Sequence, residues 1–211
     1  MTDTREQVQK DAGGSERARR WFNVVYSVVV PIVKLIYPIR VIGRENIPDG
    51  AAVVCANHSN LLDPVIAAGA FRRRNYMHFI AKAELKGAFI LGRLLERCGV
   101  IFVKRGTGDI GAMRSMMRCL KNGEKIFIFP EGTRSEEDNM VDAKTGAVRL
   151  ASKLSAPIVP VYIPRRKRVF SRMDIIIGEP YYVRGSSHDE YEQLSEEIME
   201  HIYALRDGES A

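Results

Sequence analysis

The hydrophobic pattern divides the chain into three parts. Residues 1 to 16 are polar, carry Gly13-Gly14 and show no apolar periodicity, which predicts a flexible leader. Residues 17 to 39 change character sharply. Behind Arg17, Arg19 and Arg20, the run from Trp21 to Ile39 is apolar except for Asn23, Ser27 and Lys34. As one straight helix it would be roughly 28 Å long at about 1.5 Å per residue, slightly short of a bilayer core of about 30 Å. Pro31 and Lys34 interrupt a clean span. The pattern therefore favours an interfacial amphipathic anchor, two short helices bent at Pro31 with Trp21, Tyr26 and Tyr37 at headgroup depth. A spanning helix, or a helix packed on the domain's own core, fits the same run less closely.

From residue 40 to residue 211, short apolar runs alternate with stretches of helical period, the texture of a single α/β domain. Strands are predicted at 52–56, 77–81, 100–104, 125–129, 158–163 and 174–177. A helix is expected to begin at Asp63, with Asp63 as N-cap and Pro64 in the first turn. Ile110, Met113, Met117 and Leu120 share one helical face, closed by Asn122-Gly123. The last helix opens with a capping box of Ser187 and Glu190 and lays Tyr191, Leu194, Ile198, Ile202 and Leu205 along one stripe. The expected architecture is a mixed central sheet flanked by helices.

Charge narrows the partners without choosing among them. The 32 Lys and Arg outnumber the 26 Asp and Glu, a net charge of +6 that favours anions: phosphorylated metabolites, acidic lipid or nucleic acid. Three cysteines, Cys55, Cys98 and Cys119, form no CxxC pair, which argues against a disulfide framework or a zinc ribbon and for a reducing compartment.

Polar clusters stand directly behind three of the predicted strands. The first is Asn57-His58-Ser59-Asn60-Leu61-Leu62-Asp63-Pro64. Five residues apart on one helix, His58 and Asp63 would diverge by about 140°; across a turn they can meet. A carboxylate on one imidazole nitrogen fixes the other as proton acceptor and stabilises the imidazolium, the arrangement of a general base. The second cluster is Phe129-Pro130-Glu131-Gly132-Thr133-Arg134-Ser135. Gly132 permits close backbone approach, Thr133 and Ser135 carry hydroxyls, and Arg134 offers a planar fork suited to phosphate. Glu131 fits such a site only by orienting an arginine or a substrate hydroxyl. The third, Gly99 to Gly106, adds Arg105 and Lys104 as further anion ligands or as surface charge. No GxSxG elbow indicates a hydrolase, and no third ligand near His58 and Asp63 suggests a metal there.

These strand ends resemble the glycerolipid acyltransferase family, of the 1-acylglycerol-3-phosphate O-acyltransferase type. Four ordered motifs carry the resemblance over residues 40 to 180: His58 to Asp63 within NHSNLLDP, GVIFVKR ending at Arg105, FPEGTRS at Phe129 to Ser135, and Ile158-Val159-Pro160-Val161. The resemblance implies a glycerol-3-phosphate acyltransferase-like α/β fold in which His58 deprotonates the acceptor hydroxyl and Asp63 orients it. It also implies that Arg105, Glu131, Gly132, Thr133 and Arg134 hold the acceptor's phosphate and glycerol, and that Pro160 shapes the acyl-chain side. The thioester of acyl-CoA or an acyl carrier protein is already activated, so no cofactor and no covalent enzyme intermediate is expected, and Cys55 is not expected to act as a nucleophile.

The implied partners are lysophosphatidate, the acyl donor and an anionic membrane surface, with no nucleic acid. The implied location is the cytoplasmic face of the cell membrane, peripheral or monotopic. Arg72-Arg73-Arg74 and Arg165-Arg166-Lys167-Arg168 would each add attraction to an anionic leaflet if they share a face, at about 1 kcal/mol per residue. The same chemistry on glycerol 3-phosphate, a lysophospholipid or a lyso-aminolipid remains open, as does a non-catalytic lipid-binding protein on an enzyme scaffold.

Overall fold

The computed structural model describes residues 2–104, 108–132 and 145–208, with side chains from residue 14 onward. In chain order the elements are α1 (Thr2–Ile36), β1 (Ile39–Ile42), β2 (Ala52–Ala56), α2 (Asp63–Phe71), β3 (Met77–Lys82), α3 (Leu91–Arg97), β4 (Ile101–Val103), α4 (Ile110–Lys121), β5 (Lys125–Ile128), α5 (Gly146–Leu154), β6 (Ile158–Tyr162), β7 (Met173–Ile177) and α6 (His188–Asp207). The seven strands form one sheet in the order β1-β7-β6-β2-β5-β3-β4, and every pair except β6–β7 is parallel. The mixed central sheet expected from the sequence is therefore present.

Helices cover both faces, which is why the inner strands are apolar on both sides: every residue of β2 and β6 is buried. On one face Val53, Cys55, Ile126 and Ile158 pack against α4, α5 and α6. On the other, Ala52, Val54, Phe127, Val159 and Val161 pack against α1 and α2. The predicted capping box is made at the start of α6, Ser187 Oγ accepting from Glu190 N–H and Glu190 Oε2 from Ser187 N–H. Along α4 the fully buried stripe is Ala112, Met116 and Leu120, with Met113 and Met117 half-buried and Ile110 exposed. The buried face is thus rotated from the predicted one.

The N-terminal region departs from expectation in three respects. The helix does not begin after residue 16 but is assigned from Thr2 to Ile36, and it runs through Pro31 without division into two. It also ends before Ile39, whose apolar side chain starts the edge strand β1 beside β7. Continuity through Pro31 has a packing reason. Proline removes one backbone hydrogen bond, but Val30 and Val33 on either side are buried, and Val30 sits over Gly69 of α2, where a Cβ would lie 3.2 Å from it. The opposite face of α1 stays open: Trp21, Val24, Val28, Ile32 and Leu35 are exposed. Among the described residues no helix is long and apolar enough to cross a membrane.

Candidate active site

β2, β5 and β6 run parallel, so the segments leaving their C-terminal ends converge on one edge of the sheet, where ligands collect in α/β folds. Asn57 extends the β2–β6 pairing one residue past the strand. Its buried amide donates to Ile163 O at 2.8 Å and accepts from Ile163 N–H at 2.8 Å. This side chain imitates a peptide group, and it fixes where the next residue, His58, leaves the sheet.

The chain then turns, and α2 starts at Asp63. Asp63 is the first helical residue, not the cap, and its carboxylate reaches back into the turn. Oδ2 accepts from Ser59 N–H and Asn60 N–H, both at 2.7 Å, and lies 3.0 Å from His58 Nδ1. Oδ1 is 2.7 Å from Lys167 Nζ, which also donates to Ser59 Oγ at 3.0 Å. Burial alone would raise the Asp63 pKa, but the His58 bond, the Lys167 charge and the backbone N–H bonds outweigh it and hold the carboxyl below its usual range. An ionised Asp63 accepts, so Nδ1 of His58 carries the proton and Nε2 presents its lone pair. The imidazole stacks on Phe129 with centroids 3.9 Å apart and planes 18° from parallel, which locks its second rotational degree of freedom.

Phe129 to Gly132 form a tight turn closed by Gly132 N–H to Phe129 O at 3.1 Å, with proline at its second position and glycine at its fourth. Gly132 has φ +67, the left-handed region that glycine enters without strain. This turn buries Glu131 behind His58. Glu131 Oε1 accepts from His58 backbone N–H at 3.3 Å, from Tyr203 Oη at 2.9 Å and from Arg165 at 3.4 Å. Burial raises the Glu131 pKa above the usual value against the lowering effect of the Tyr203 bond and the Arg165 charge. Of the two roles open to Glu131, orienting an arginine is the one seen.

The structure thus brings together His58, Asp63, Glu131 and Gly132. Pro160 stands apart from them. By strand alternation it faces α6, the side opposite the Phe127–Phe129 side on which His58 stacks. There its ring packs against Gly178, where a Cβ would come within 2.8 Å, and it lines a cavity of about 460 Å³ with Ile42, Tyr181 and Leu205. Arg105, Thr133 and Arg134 lie outside the described residues. Cys55 is fully buried and its thiol is pushed well above the usual range by desolvation, as a packing cysteine should be.

Sequence reasoning missed Lys167, Arg165 and Tyr203 as parts of this site, and included Asn57 in the first polar cluster without giving it a role. The arginine-lysine run at 165–168 reads as surface charge, yet Arg165 and Lys167 turn inward with side chains 9% and 3% exposed. Arg166 and Arg168 are exposed, and since all four residues are basic the run carries no sequence signal for this alternation. The two basic runs also occupy opposite poles: Arg72–Arg74 lead into the start of β3, whereas 165–168 follow the end of β6, and the two strands run in the same direction. They do not form one leaflet-facing patch.

Comparison with known proteins gives the family. The acyltransferase family profile matches residues 38–164. The chain belongs to the acyltransferase family. It is 33% identical over 156 residues to the 1-acyl-sn-glycerol-3-phosphate acyltransferase of Bacillus subtilis (strain 168), covering 71% of this chain and 77% of that one. It is 30% identical to a probable enzyme of the same name from Mycoplasma pneumoniae, covering 58% of this chain and 48% of the relative. The crystal structure of PlsC from Thermotoga maritima, a 1-acyl-sn-glycerophosphate acyltransferase, superposes with TM-score 0.62 at 28% identity, over 98% of this chain and 85% of that one. In this acyltransferase the profile's end at residue 164 falls just short of Arg165 and Lys167, so the buried cations that complete the site lie beyond the matched segment.

Proposed function

We propose that the protein transfers an acyl group from a thioester to the free hydroxyl of 1-acyl-sn-glycerol 3-phosphate, giving phosphatidate. The observation that carries this reading is the 3.0 Å contact between His58 Nδ1 and Asp63 Oδ2 on a carboxylate that is fully buried. It leaves Nε2 as the base. Nε2 takes the hydroxyl proton as the oxygen attacks the thioester carbonyl. The tetrahedral intermediate then expels the thiolate, which recovers the proton from His58. A base of this kind supplies roughly a hundred- to ten-thousand-fold, and positioning of the acceptor must supply the rest. By family resemblance Arg105, Thr133 and Arg134 hold the phosphate, with Gly132 allowing close approach. Glu131 supports this indirectly by tethering the His58 turn to α6 and Arg165.

The acceptor is a lipid, so the site has to work at a bilayer surface. Peripheral association on the cytoplasmic face is the arrangement we propose, through the open apolar stripe of α1. Phe170, itself 76% exposed, donates its N–H to Ile36 O at 2.6 Å, so the end of this stripe meets the loop that follows β6 and carries Lys167. The C-terminal end of the stripe and the His58 turn therefore share a pole, while its start at Trp21 lies toward Arg97.

Purified protein incubated with lysophosphatidate and either acyl-CoA or acyl carrier protein, with thiol release followed, tests the reading and separates the donors. His58→Ala should abolish release with the fold intact, and surviving turnover would remove the mechanism. A panel with glycerol 3-phosphate and lysophospholipids tests the acceptor. Arg134→Ala should raise the acceptor requirement, and unchanged dependence would remove that residue from the phosphate site.

A further inference from the structure

At the pole opposite His58, three side chains from separate segments converge. His78 of β3, Cys119 of α4 and Glu124 just before β5 bring His78 nitrogen, Cys119 Sγ and a Glu124 carboxylate oxygen all within 4.8 Å of one another. The convergence is built by the backbone. Helix α4 ends with Gly123 at φ +77, Glu124 N–H bonding to Cys119 O and Gly123 N–H to Leu120 O, both at 3.0 Å. This paired closure folds the chain back after the helix and places residues 119 and 124 side by side.

The histidine is oriented as a ligand. His78 Nδ1 lies 2.8 Å from Gly99 O, which can only accept, so Nδ1 carries a proton. Nε2 faces Glu124 Oε2 at 3.1 Å, with the Cys119 thiol hydrogen-bonding to both residues. As it stands Nε2–H can donate to the carboxylate as an ion pair; without that proton the imidazole, thiolate and carboxylate are three groups that bind zinc. A backbone carbonyl fixing the far nitrogen is also the usual support of a metal-bound histidine. Bond lengths of about 2.0–2.3 Å to zinc put tetrahedral donor atoms roughly 3.3–3.6 Å from each other; here His78 and Glu124 are 3.1 Å apart and Cys119 Sγ lies within 4.8 Å of both. His78 is buried, while Glu124 is partly open and lines a polar cavity of about 220 Å³ together with Ser15, Asp49, Arg19, Arg74 and Lys125. Ser15 of α1 donates to the other oxygen of Glu124.

We propose that His78, Cys119 and Glu124 bind one zinc ion, which joins β3, α4 and the start of β5 and, through Ser15 on Glu124, ties down the N-terminal part of α1. Binding releases the thiol proton of Cys119 to solvent. The site is distinct from the His58 turn and does not depend on the acyl-transfer reading.

The test uses the full chain loaded with Co²⁺ or Zn²⁺ after chelator treatment. Elemental analysis should find about one zinc per chain, and the cobalt form should show a near-ultraviolet thiolate-to-metal band with visible bands of tetrahedral cobalt. Cys119→Ser should remove the thiolate band, whereas Cys98→Ser should keep it. His78→Gln and Glu124→Gln should weaken zinc about 100-fold or more, each checked by circular dichroism for an intact fold. Absence of the thiolate band in the unmodified chain, or its persistence in Cys119→Ser, would overturn the proposal and leave a plain His78–Glu124 ion pair.

Discussion

Lys167 Nζ stands 2.7 Å from Asp63 Oδ1, with 3% of the lysine side chain and none of the aspartate exposed. The carboxylate that orients His58 is therefore clamped between an imidazole on one oxygen and an ammonium on the other. Removing the lysine leaves a buried carboxylate short of a counter-charge, which typically costs 3–5 kcal/mol. Lys167→Met should fall near the bottom of that range, about 3 kcal/mol, because Asp63 keeps the Ser59 and Asn60 N–H bonds. If Lys167 positions the dyad, kcat drops while the acceptor KM holds. Denaturant unfolding with steady-state kinetics checks both, and an unchanged kcat would show that the backbone bonds suffice.

Asp63→Asn should lower kcat by about 10²- to 10⁴-fold, the worth of an oriented base. It also has a pH signature. The folded Asp63 pKa is lowered, so its contribution to stability is present above the unfolded value of about 3.9 and is lost as pH falls through the lower folded value. Unfolding free energy measured across the acid range should decline for the native chain and lose that part of its slope in the variant.

Tyr203→Phe removes the 2.9 Å bond to a Glu131 that is 1% exposed. Hydrogen bonds to charged groups contribute about 1.5–3 kcal/mol, so a melting shift corresponding to roughly that loss is expected. Turnover should fall too, since Glu131 also holds the His58 backbone. A variant equal to the parent in both would detach α6 from the His58 turn.

Gly132→Ala should cost about 1–2 kcal/mol through its positive φ alone. Thermal unfolding measures it. A smaller loss would mean that the turn relaxes.

Vesicle flotation separates the apolar stripe from the charges. Val28→Asp with Ile32→Asp should abolish binding to anionic vesicles with no change in melting temperature, since both side chains are exposed. Arg72→Gln with Arg74→Gln, at the far pole, should leave flotation intact. The reverse result would assign docking to the arginines.

Strands β2 to β7, helices α2, α4 and α6, the capping box of α6 and the pairing of His58 with Asp63 were legible along the chain because each rests on local spacing: period two or 3.6, a four-residue cap, a turn of five; α3 and α5, seven and nine residues long, were not read. β1 was not, since four residues at a sheet edge carry no period of their own, and α1 continued past Pro31 because Gly69 of another helix offers Val30 a seat. Pro160 reads the same in a motif wherever its ring points; only the sheet places it against Gly178. Lys167 and Tyr203 are 104 and 72 residues from Asp63 and Glu131. Their charges and hydroxyls are ordinary surface chemistry until folding removes water from around them, and that desolvation, set by tertiary packing alone, turns surface charge into the buried partners of Asp63 and Glu131.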